Sequence, residues 1–128
     1  MPVYQFEDLP DVQHNPKLST AIGPTVKGER IYFGKRTKKA GTGSQPHHHP
    51  SEEFLYVLKG RIRAEIDGEV HFADPGGVVH ILANVVHFTM ADGGEDAEYL
   101  YVKDTSWGLT GVPAGEAAPE TPPGDVPY

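Results

Sequence analysis

Residues 41–60 of this chain read Gly41-x5-His47-x-His49-x3-Glu53-x6-Gly60, and no other stretch narrows the fold and the chemistry so far. Imidazoles at i and i+2 on a β-strand project from the same face. Pro50 kinks the chain after His49, and Glu53, four residues on, can then swing its carboxylate to the same point. Neutral imidazoles together with a carboxylate suit a divalent transition ion: Fe(II), Mn, Ni, Co, Cu or Zn. A lone strand histidine is more often a surface or satisfied core group. Here two glycines, two histidines and a glutamate keep one spacing, which favours a metal site.

This spacing resembles the first motif of the cupin superfamily, in which the two histidines and the glutamate bind metal and a third histidine comes from a second motif. Two placements of that second motif compete. Pro75-Gly76-Gly77-Val78-Val79-His80-Ile81-Leu82-Ala83-Asn84 fits P-x-G-x2-H-x3-N and would make His80 the ligand. Sliding the motif seven residues makes His87 the ligand, with Leu82 where the family usually has Pro and Asn84 where it usually has Gly. The second placement is preferred on physical grounds. Residues 77–82 form a β-branched, apolar run that reads as a strand. Asn84 tolerates a left-handed turn, so His87 opens the next strand and returns to the site. The resemblance therefore implies a metal set of His47, His49, Glu53 and His87. His48, of opposite parity, is expected at the surface or an interface, and His14 and His71 at the surface.

The remaining pattern agrees with an all-β chain. Short strands are expected over 29–36, 54–58, 61–66, 69–72, 78–82, 87–91 and 97–103, punctuated by Gly and Pro, with Asp67-Gly68 as a tight hairpin. Such strands build a sandwich or barrel, and the resemblance implies a single jelly-roll β-barrel with a lumen for a ligand. Residues 54–58 are apolar throughout and are expected to be buried on both faces. The division expected is a barrel with its lead-in over 1–107 and a Pro/Gly-rich acidic tail over 108–128, lying on its own barrel or on a partner. Trp107 is expected to cap the barrel or anchor that tail.

Composition removes several classes of function. With 18 acidic against 11 basic residues the chain carries a net charge of −7, which disfavours nucleic acid and anionic membranes. There is no cysteine, so neither disulfides nor thiolate chemistry is available. No stretch approaches the roughly 18 apolar residues of a membrane span, and a cytoplasmic protein is expected. Lys35, Arg36, Lys38 and Lys39 form a basic run, read as a solvated strand end or, alternatively, as a device that steers anionic substrate to the barrel mouth.

The pocket itself is legible only through parity. The last long strand turns either Leu100, Val102 and Asp104 or Tyr99, Tyr101 and Lys103 inward, depending on the preceding loop. The first set is preferred here, which makes Asp104 a general acid/base candidate. A cupin with this ligand set implies an enzyme acting on a small molecule, read here as a dioxygenase-type oxidoreductase. The alternatives are a metal-dependent isomerase or lyase and a non-catalytic ligand-binding domain. The apolar strand and the Pro-rich tail together point to a homodimer.

Overall fold

The computed structural model of the chain describes residues 3–104, 106–107 and 111–117. Among the described residues, ten strands follow a short 3-10 turn at Phe6–Asp8. They are β1 (Thr25–Lys27), β2 (Ile31–Lys38), β3 (His47–His48), β4 (Glu53–Lys59), β5 (Ile62–Ile66), β6 (Glu69–Ala73), β7 (Val78–Ile81), β8 (His87–Ala91), β9 (Ala97–Asp104) and β10 (Val112–Pro113). The 3-10 turn lies in the N-terminal lead-in.

The strands form two five-stranded antiparallel sheets, ordered β1-β2-β9-β4-β7 and β10-β3-β8-β5-β6. This is the jelly-roll expected from the strand pattern. Strand parity decides what fills it. Along β4 burial alternates, with Glu53, Leu55 and Val57 inside and Phe54, Tyr56 and Leu58 outside. The expectation that residues 54–58 are buried on both faces is therefore corrected. An apolar run was read as a central strand, but antiparallel sheets routinely keep one open face. Inside, Ile62, Ile81, Val57, Tyr32 and Tyr101 are almost fully buried. Each aliphatic side chain among them contributes about 1.5–3 kcal/mol of transfer free energy.

Turns fall where backbone chemistry demands them. Asp67 (φ 51°) and Gly68 (φ 80°) make the β5–β6 hairpin, both in the left-handed region that a type I′ turn requires. Asn84 (φ 64°) redirects the chain between β7 and β8 as its amide side chain allows. Gly60 (φ 76°) closes the motif between β4 and β5, and a Cβ there would approach the Asp96 carbonyl oxygen at 2.6 Å. No helix among the described residues is long and apolar enough to cross a membrane.

The start of the tail folds back on the barrel. Val112 and Pro113 pair with His48 and His47, so β10 extends the second sheet. His48 Nε2 donates to the Glu116 carbonyl at 2.7 Å, which buries a ring expected at the surface. The tail segments 108–110 and 118–128 lie outside the described residues.

Candidate metal centre

The strand register brings the histidines together. His47 on β3 lies directly opposite His87 on β8, with ring centroids 4.3 Å apart. His49, just past β3, packs edge-on to His87 at 4.8 Å between centroids. One ligand atom from each of the three rings lies within 4.8 Å of the others. His80, the competing candidate, sits on the outer face of β7. There it stacks on Phe54 at 4.2 Å and lies 2.6 Å from the Glu52 carboxylate.

Backbone carbonyls orient all three rings. Nδ1 of His47 donates to Gln45 O (2.6 Å), that of His49 to Ser51 O (2.8 Å) and that of His87 to Val85 O (2.8 Å). A carbonyl only accepts, so each neutral ring carries its proton on Nδ1 and leaves the Nε2 lone pair free. This outer-shell arrangement is the one that fixes metal-binding imidazoles. Burial holds His47 down to about 4, with His87 adding to the effect, and His49 down to about 3, with Lys103 adding. Burial lowers His87 as well. The rings are therefore neutral at physiological pH, as ligation requires, and three converging Nε2 atoms fit a divalent transition ion.

Glu53 lines the same cavity but is not one of the three clustered groups. Its carboxylate lies 3.6 Å from Lys103 Nζ, and Lys103 is its partner across the β4–β9 ladder. Burial alone would raise the Glu53 carboxyl, but Lys103, then His49 and Arg36, hold it at about 2.

The parity preferred for β9 is corrected by the structure. Tyr99, Tyr101 and Lys103 point inward, while Leu100, Val102 and Asp104 face out. The loop before β9 sets this phase, and its length does not follow from residue types. Asp104 instead accepts from the Ser106 amide at 2.9 Å and the Glu52 amide at 3.3 Å, outside the lumen.

The reading of the basic run as a solvated strand end is also corrected, in part. Arg36 and Lys38 lie in phase with Tyr32 and Gly34 on the inner face of β2 and line the cavity. Lys38 Nζ donates to Thr89 O (3.1 Å) and to the Thr89 hydroxyl. Burial first, then the charge of Arg36, lowers Lys38 to about 7. The alternation of residues 31–38 held the signal for these two side chains, but charge argued against placing them inside.

The cavity measures about 40 Å³, and Asn15, Leu18, Ser19 and Gly111 complete its lining beside the charged groups. Gly111 N donates to Asn15 Oδ1 at 3.1 Å. A Cβ on Gly111 would stand 3.0 Å from the His47 ring and 3.1 Å from Leu18, so a side chain there would press on both by a few tenths of an ångström.

A jelly-roll whose lumen holds three converging imidazoles defines the cupin class. The chain belongs to the cupin domain family, whose pattern it matches over residues 36–103. Over 102 residues it is 31% identical to the polyketide synthase CurC of Streptomyces cyaneus, covering 73% of this chain and 65% of that protein. The chain thus spans just under two thirds of the length of that curated relative. The polyketide cyclase RemF from Streptomyces resistomycificus has a similar fold, with a TM-score of 0.77 at 17% identity over 95% of this chain and 89% of that one. The cupin-2 domain Rru_A2000 from Rhodospirillum rubrum matches with a TM-score of 0.74 at 16% identity, over 90% and 81% of the two chains.

Proposed function

We propose that this cupin is a metal-dependent enzyme that closes a ring in a small polycarbonyl molecule of polyketide type without consuming oxygen. The observation that carries the reading is the combination of three oriented imidazoles with a cation-rich lining in one cavity. The likeness to CurC and RemF supports the choice of substrate class. His47, His49 and His87 are the proposed ligands, and Glu53 the fourth, with the ion competing with Lys103 for its carboxylate. A bound divalent ion would supply Lewis acidity to a carbonyl oxygen.

The chain's own residues supply the rest. Lys38, lowered to about 7, is suited to take the proton from a carbon flanked by two carbonyls. That carbon then bonds to a second carbonyl carbon of the same molecule, whose oxygen gains the proton. Lys38, once protonated, and Lys103 stabilise the negative charge that moves between the two carbonyl systems.

Oxygen dependence separates this reading from the dioxygenase one. Zn-reconstituted protein is expected to turn over linear polycarbonyl substrates equally well under strict anaerobiosis. Oxygen uptake with Fe(II) and none of this activity with Zn would restore the oxidative reading, because Zn has no redox chemistry.

We also propose a homodimer through the outer face of the first sheet. Phe33, Phe54, Tyr56 and Val78 lie there side by side across β2, β9, β4 and β7, and Val78 is 60% exposed. Contiguous apolar patches of this kind mark association surfaces. Light scattering is expected to give twice 13.9 kDa, and Tyr56→Glu to shift the protein to monomer. A 13.9 kDa species for the unaltered protein at micromolar concentration would rule the dimer out.

A further inference from the structure

The cavity lining carries more positive charge than its own groups neutralise. Arg36, Lys38 and Lys103 face Glu53 as the one carboxylate, and the histidines beside them are neutral. Lys103 is paired with Glu53, and Lys38 with Thr89. Arg36 is different. Its Nε and Nη2 are shut off from solvent and have no hydrogen-bond partner among the described residues. The Tyr101 ring, 3.9 Å below the guanidinium, holds the plane in place. Gly34 leaves room for that ring, since a Cβ there would meet Tyr101 Cε1 at 2.5 Å.

These two nitrogens are not an arbitrary pair. Nε–H and one Nη2–H point in parallel from the same edge of the guanidinium, and together they form the side-on fork that grips a planar two-oxygen anion. A buried arginine normally has that edge occupied, because an unmet charged donor is costly to bury. We propose that Arg36 is the receptor for a carboxylate on the substrate, holding it beside the three-histidine centre. The cavity of about 40 Å³ suits a group of this size rather than a whole substrate. A single water needs roughly 10–15 Å³ of such space, so a carboxylate fits with little to spare. The rest of the substrate would then lie along the part of the lining formed by Asn15, Leu18 and Gly111. The inference rests on the reading that this cavity is the substrate site, but it concerns Arg36 alone and needs no turnover.

The test uses the metal-free full chain, formate as probe and formamide as its neutral counterpart. Titration followed by the Arg36 Nε–H resonance is expected to show saturable formate binding and no response to formamide. Arg36→Lys keeps the charge but removes the fork, and should weaken formate binding roughly tenfold, the loss of one charge-assisted hydrogen bond. The same variant should still take up one zinc per chain, which separates an anion receptor from a scaffold for the histidines. Absence of saturable formate binding, an equal response to formamide, or unchanged affinity in Arg36→Lys would each overturn the proposal. Loss of zinc uptake in Arg36→Lys would also overturn it. Formate binding at Arg36 in a protein that cyclises no polycarbonyl substrate would retain this inference and remove the proposed reaction.

Discussion

Protein carrying His87→Ala is expected to emerge from zinc reconstitution almost empty, whereas His80→Ala should retain the full complement. Both histidines stand near a plausible second motif, and only the geometry separates them. His87 lies opposite His47 on the β3–β8 ladder, with Nδ1 committed to Val85 O and Nε2 free. His80 faces solvent on β7 and is engaged with Glu52 and Phe54. Losing an outer-shell partner costs about 10–100-fold in metal affinity, and losing a ligand costs more. His49→Ala should behave like His87→Ala, and Glu52→Gln like His80→Ala. Elemental analysis after dialysis reads all four. An empty His80→Ala beside a full His87→Ala would place the ligand on the wrong strand here.

The second large effect concerns stability. Lys103→Met is expected to destabilise the metal-free protein by about 3–5 kcal/mol, because it leaves Glu53 buried with no counterion at its side. The double variant Lys103→Met with Glu53→Gln should recover much of that loss, since the cost comes from the orphaned charge and not from the missing attraction. The pH dependence gives the sign. Glu53 sits at about 2, below its ordinary value, so the stability it contributes is present above about pH 4.5 and is lost as pH falls toward 2. In Lys103→Met the carboxyl rises, and that acid limb should move to higher pH. Urea unfolding across this range reads both effects. A single variant as stable as the parent would mean that Arg36 and Lys38 compensate Glu53.

Much of this architecture was legible because its signals are local. The Asp67-Gly68 hairpin, the left-handed turn at Asn84 and the 41–60 spacing each depend on a few neighbouring residues. So does the preference for His87 over His80, which rested on reading 77–82 as one strand. The misreadings share a cause of a different kind. Which face of β9 turns inward is set by the loop before it, and a slip of one residue exchanges Asp104 for Lys103. Arg36 and Lys38 were assigned to solvent by their charge, although their phase with Tyr32 placed them inside. Charge is a sound guide to burial except where a ligand or a counterion waits in the interior, and that information is not local.

The doorway at Asn15 and Gly111 has a kinetic consequence. The inner space is smaller than the polycarbonyl chain proposed as substrate, and the segments beside it are held by a few contacts, among them Gly111 N to the Asn15 side-chain oxygen and Ala114 N to Pro46 O. Such segments open without unfolding the sheets behind them. For the substrate proposed above, the expected rates of entry and release are then set by how often these contacts part. The affinity of the centre sets the fraction occupied at equilibrium.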